Sequence, residues 1–187
     1  MSSHQTARQL LLEIQRQQFS HDESFHREIA RLPVARRLTH MALHISKYFS
    51  RAVRNEVEAR PNPNPRNWID TFIICTSIAN ILNVRLADYW EVDEDLPEAR
   101  LRRWLTTKLE GRGPLLGEFA ELNDILCSAC EKLDHLEDHA YRLKIAAGAC
   151  RLAMMAADRV YVQHNELFNP VTARLLETKR KNMFFEG

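Results

Sequence analysis

An all-α, single-domain bundle of about seven helices is the fold this sequence predicts, because apolar residues recur at spacings of three and four through most of the chain. Two further observations agree. Alternating runs of β-branched residues bounded by turns are nearly absent, which removes the strand signal. Only five glycines occur in 187 residues, with 45% hydrophobic and 27% charged, a composition suited to long helices packed on a real core. The chain divides into N-terminal helices (1–32), a helix–proline connector–helix pair (33–86), and C-terminal helices ending in a short basic tail (95–187).

The elements follow in order. A first helix is expected from Thr6 to Phe19, and Ser20 with Glu23 gives a capping-box start for a short second one. Pro33 marks the next start, since proline fits a first helical turn and restricts the residue before it. The third helix runs from Pro33 toward Ala59, with Val34, Leu38, Met41, Ile45, Phe49 and Ala52 on one arc. Arg60 to Arg66, RPNPNPR, is a connector, because its alternating prolines cannot sit inside a helix. Asn64-Pro65 caps the fourth helix, which ends at Asn83 in a left-handed conformation. Asp95 and Pro97 open a fifth, which stops at Gly111–Pro114. The sixth, Pro114 to Asp138, carries the packing seam Phe119, Leu122, Leu126, Ala129, Leu133 and Leu136. The seventh, His139 to His164, is lined by small residues from Ala146 to Ala157 that permit close approach of another helix. Asn169-Pro170 begins a last short helix. Either the seam or the small-residue stripe would serve as a self-association face, so a homo-oligomer is expected.

Net charge is +1, which gives no global pull toward nucleic acid or membrane. Arg31, Arg36, Arg37, Lys47, Arg51, Arg54 and Arg60 make the early part basic, and Glu91–Asp138 is acidic. Trp68, Trp90 and Trp104 are scattered and form no ladder for single-stranded nucleic acid. No apolar run reaches membrane length, the first residues lack the core of a signal peptide, and four cysteines lie within helical patterns. The expectation is a soluble, cytoplasmic protein with reduced thiols.

Asp70 carries the most information about function. It lies in Trp68–Leu86, a segment apolar on nearly every side, and a helix of that kind is buried. A buried carboxylate demands compensation by a cation, a metal or hydrogen bonds. On the third helix His40, His44, Lys47 and Arg51 follow steps of four, three and four, forming a polar stripe beside Tyr48. Histidines four apart on one face can share a metal, and Lys47 with Arg51 can hold phosphate oxygens. A solvated helix border is the alternative. Glu56 falls on the apolar arc, at about the height of Asp70 if the two helices form a hairpin, where the pair would hold a divalent cation or bind an arginine. Glu131, Asp134 and Asp138 share a face of the sixth helix, as half of a magnesium site or as an exposed acidic face. Cys127 and Cys130 with His135 and His139 have the wrong spacing for a zinc finger. Neither a glycine-rich phosphate loop nor a nucleophile elbow is present.

Ile69-Asp70 through Ala79-Asn80-Ile81-Leu82-Asn83-Val84-Arg85-Leu86 resembles the second metal-binding helix of the MazG-like, all-α nucleotide pyrophosphohydrolases. There a Glu-x-x-Asp pair opens an apolar helix that ends in a pattern like A-N-x-L-G-[IV]-x-L. The first helix of that family carries Glu-x-x-Glu, and the corresponding stretch here is MALHISKYFSRAV. The resemblance spans Leu38 to Leu86, about a quarter of the chain. It implies cleavage of nucleoside triphosphates to monophosphate and pyrophosphate, with Mg2+ held by four acids. Asp70 matches the last acid, Asn67 stands at the third, and His44 and Lys47 stand at the first two. On this reading Asp70, with Glu56 or with Glu131, Asp134 and Asp138, would hold the metal. His44 would be the general base, and Lys47 and Arg51 would contact phosphates. The competing expectation is a non-catalytic helical interaction protein in which Asp70 is a structural acid paired with an arginine.

Overall fold

The computed structural model describes residues 5–57, 66–111, 115–136 and 139–182, with their side chains except those of 56–57, 115, 118, 133–136, 139–141 and 181–182. Among these residues the protein is all-α, and no helix is long and apolar enough to cross a membrane. The elements are α1 (Ala7–Phe25), α2 (Arg27–Ala30), α3 (Val34–Val57), α4 (Arg66–Ile81), α5 (Leu86–Tyr89), a 3-10 turn (Glu98–Arg100) leading into α6 (Leu101–Leu109), α7 (Leu115–Leu136), α8 (His139–His164) and α9 (Phe168–Asn182).

Helix α1 starts at a capping box: Thr6 Oγ1 accepts from Gln9 N–H, and Gln9 Oε1 accepts from Thr6 N–H. It does not break at Ser20. Local capping propensity there is overridden by bonds that one face of the continuous helix makes to α4 and the turn after it. Gln15 Nε2 donates to Asn80 Oδ1 at 3.0 Å and to Val84 O at 2.9 Å, while its Oε1 accepts from Leu86 N–H at 2.9 Å. Asn80 Nδ2 returns a bond to Gln15 O. About two turns further along α1, Asp22 accepts from Ser77. The Ala-Asn stretch that carries the family resemblance therefore has a structural task, clamping α1 across the end of α4.

Helix α4 closes as its sequence predicts. Asn83 has φ 57°, and Val84 N–H reaches back to Ala79 O at 2.8 Å, satisfying a carbonyl of the last turn. The Asn64-Pro65 start lies outside the described residues. The predicted apolar arc of α3 is buried at Leu38, Met41, Ile45 and Ala52, and Tyr48 joins it.

Helix α8 is the centre of the molecule. It packs most extensively along α4, and also along α7 and α6. Its small residues make this possible: Ala149, Ala153, Ala156 and Ala157 are fully buried, and a Cβ on Gly148 would lie 3.8 Å from Ile125 and Leu126 of α7. Phe119, Leu122, Leu126 and Ala129 of the α7 seam are buried inside the same monomer. The described part of the seam and most of the small-residue stripe are thus buried within the chain; the side chains of Leu133 and Leu136 lie outside the described residues. The last helix is longer than expected. Helix α9 spans 15 residues and packs on α1 and α4, which brings its polar face to the end of the bundle where the sequence placed the chemistry.

Candidate functional site

Five elements enclose a cavity of about 270 Å3: the C-terminal half of α1, the α1–α2 junction with α2, the first half of α3, the middle of α4, and α9. Its polar lining comprises Gln18, His21, Asp22, His26, Arg37, His40, His44, Lys47, Tyr48, Asp70, Arg174 and Thr178, and Ile29, Met41, Ile73, Ile74 and Leu175 form apolar wall.

Asp70 finds its compensating cation in Arg174. Arg174 Nε donates to Asp70 Oδ1 at 2.7 Å and Nη2 donates to Oδ2 at 3.3 Å, a two-pronged pair that occupies both carboxylate oxygens. Arg174 Nη1 also donates to Glu177 Oε2 at 3.0 Å. These bonds to Asp70, and then the two nearby acids, raise the Arg174 pKa despite burial.

Across the cavity, α3 presents a directional chain. Lys47 Nζ lies 3.3 Å from His44 Nδ1, and His44 Nε2 lies 3.2 Å from His40 Nε2. An ammonium only donates, so Nδ1 of His44 accepts and its proton sits on Nε2. That proton is donated to His40 Nε2, which places the His40 proton on Nδ1. Burial first, and then the Lys47 charge, lower the His44 pKa from its ordinary 6.5 to about 4. His40 is lowered as well, chiefly by burial. Lys47 itself is lowered by burial and by Arg51. Its ammonium also sits 4.6 Å from the Tyr48 ring centre, and Arg51 stacks more loosely on the same ring at 5.7 Å.

Of the residues singled out in the sequence, His44, Lys47 and Asp70 come together in this cavity. Arg51 is exposed and stands at its rim, over Tyr48. Glu131 is exposed on α7 and lines a different groove with Arg36 and Cys127. The side chains of Glu56 and Asp134, and all of Asp138, lie outside the described residues. Asn67, at the third acid position of the resemblance, is buried away from the cavity and donates to Tyr48 O at 3.1 Å.

As a donor set for Mg2+ these side chains fit poorly. The ion prefers carboxylate and water oxygens. Here the one retained acid is spent on a guanidinium, and an ammonium stands close by. Among the described residues no three His, Cys, Asp or Glu side chains converge as a metal-binding group.

No protein-family model, curated protein or solved structure matches the chain. The cavity must be interpreted from its own chemistry.

Sequence reasoning missed half of that chemistry. Arg174 lies 104 residues from Asp70, so no local pattern links them. Gln18, His21 and Arg37 had no signal beyond being polar residues on amphipathic helices. In the structure they are distinguished by what they lack. Gln18 Oε1, both ring nitrogens of His21 and Arg37 Nε are buried without a hydrogen-bond partner. Buried polar atoms are nearly always satisfied, and a cluster of exceptions on one cavity makes that cavity the candidate site.

Proposed function

We propose that this cavity binds a phosphate-bearing small molecule, a nucleotide or a related phosphate. Fixed cations would stand where a MazG-like pyrophosphohydrolase holds its metal. The observation that carries the reading is the substitution of charge at one place. Asp70 is neutralised by the two-pronged Arg174, and Lys47 faces the same cavity with its ammonium engaged by a neutral imidazole and an aromatic ring. In a metal site the cation neutralises the acids and then holds phosphate oxygens. Here Arg174 does the first and Lys47 the second.

Binding is favoured over hydrolysis by the state of His44. A general base works best with a pKa near the working pH. His44, at about 4, is a weak base, and both its ring nitrogens are already in hydrogen bonds. It orients Lys47 and does not compete for the proton.

The reading is tested by calorimetric titration with inorganic pyrophosphate and nucleoside mono- and triphosphates, first with a chelator and then with Mg2+. Binding is expected in the chelator, and Lys47→Met should weaken it about tenfold or more, the value of one charge-assisted hydrogen bond. Arg51→Met, at the rim, should change it little. Binding that appears only with Mg2+ would return the site to metal chemistry. Absence of binding by every phosphate would leave the interaction-protein reading.

A further inference from the structure

We propose that the bound molecule carries an amino-substituted heterocycle at its other end, recognised by Gln18, His21 and Arg37. The inference rests on the phosphate reading, and the two can fail separately.

The cavity is long enough for a ligand with two ends. Arg37 and Lys47 are ten residues apart on α3, about 15 Å along the helix axis. Ser77, which anchors Asp22, is seven residues beyond Asp70 on α4, about 10 Å further along. The group formed by Gln18, His21 and Arg37 therefore lies away from the cationic end. Gln18 is 2% exposed and His21 8%, so neither is satisfied by bulk solvent.

The identity of the unsatisfied atoms specifies what has to meet them. Gln18 Nε2 donates to Asp22 Oδ1 at 2.8 Å, which fixes the amide and leaves Oε1, an acceptor, without a partner. His21 Nδ1 lies 3.6 Å from the same carboxylate oxygen. That is too long for a hydrogen bond, but the negative charge favours the imidazole proton on Nδ1. His21 Nε2 is then a second acceptor. Arg37 Nε–H is a donor with no acceptor. With His21 Nδ1–H facing the Asp22 carboxylate at 3.6 Å, the ligand must bring donors for the other two acceptors and an acceptor for Arg37 Nε–H.

Several classes fail this requirement. A second phosphate brings only acceptors and would face Gln18 Oε1, the His21 lone pair and the Asp22 carboxylate. A hydrocarbon satisfies nothing. An alkylammonium brings donors but no acceptor, and it would meet the Arg37 charge. An exocyclic amino group beside a ring nitrogen supplies both in one plane, as in adenine or cytosine. The apolar side chains of Met41, Ile73 and Leu175 offer walls for its faces.

The test compares ligands that share the phosphate and differ only at that edge. Full-length protein is titrated with adenosine and inosine monophosphates, with cytidine and uridine monophosphates, and with inorganic pyrophosphate. The amino member of each pair should bind about tenfold or more tightly than its oxo partner, because a site built to hydrogen-bond rejects the analogue that cannot comply. Gln18→Leu and, separately, His21→Phe should erase that preference and leave pyrophosphate affinity unchanged. The second variant keeps an aromatic ring beside Phe25, so the result does not depend on one substitution folding. Equal or reversed affinities within the pairs, with pyrophosphate still bound, would overturn this inference alone. A preference for the amino member of each pair without pyrophosphate binding would overturn the phosphate reading alone. Absence of all binding would overturn both.

Discussion

The two ends of this bundle are built by different rules. Around α7 and α8 the interior is largely apolar: Phe119 packs on Phe49 and Trp68, alanines line α8, and the Trp90 indole N–H donates to Cys150 O. Around α1, α3 and α9 the interior holds an ion pair, a chain of Lys47, His44 and His40, and four polar atoms without partners. A fold can carry such violations only when the rest of the molecule supplies the stability, and they concentrate where function requires them. The contrast teaches that packing around α7 and α8 holds the protein together, whereas the α1–α3–α9 end carries the buried charge and unpartnered polar atoms on which the proposed binding site rests.

That contrast can be broken at either end. The largest effect is expected from Phe119→Ala, which opens a cavity beneath Phe49 and Trp68 and should cost about 3–5 kcal/mol in denaturant unfolding. Phosphate binding by the molecules that remain folded should be unchanged. Next comes Arg174→Met, which leaves Asp70 buried without its cation and should cost about 3 kcal/mol. Asp70→Asn should cost less, because Arg174 keeps Glu177 and part of its guanidinium remains near solvent. Equal losses would mean that the pair is not the buried contact described. Thr6→Ala removes the α1 cap, at about 1 kcal/mol by the same unfolding assay, without touching the cavity.

The smallest energetic effect sharpens the comparison most. The Lys47 charge helps to hold the His44 pKa down, so Lys47→Met should move it upward from about 4 toward its ordinary 6.5, as read by NMR titration of the ring. The sign for stability follows from the same shift. Between about pH 6.5 and 4 the unfolded chain binds the His44 proton and the folded protein does not. The His44 contribution is therefore complete above pH 6.5 and is lost as the pH falls through that window. His44→Gln should flatten this part of the melting-temperature profile. A profile equally steep in the variant would remove His44 as its source.

Much of the packing was legible in the sequence because it repeats. The apolar arc of α3, the seam of α7 and the small residues of α8 recur every three or four positions, and Asn83 ends α4 as its residue type suggests. Where α1 continues past Ser20, a local cap signal lost to bonds with α4 that no short window contains. The site divides in the same way. Asp70 stood out as a charge in an apolar helix, and His44 and Lys47 as a stripe on one face. Arg174, Gln18, His21 and Arg37 are ordinary in their own helices and acquire meaning only when α1, α3 and α9 meet.

The most direct test of the central claim, that fixed cations and not a metal hold phosphate in this cavity, is a titration with inorganic pyrophosphate in the presence of a chelator. It should be followed by 15N NMR of the His40 and His44 rings and of the Lys47 ammonium. The account predicts saturable shifts in all three without added metal, lost in Lys47→Met. Unchanged signals in a folded sample, or shifts that require Mg2+, would contradict it.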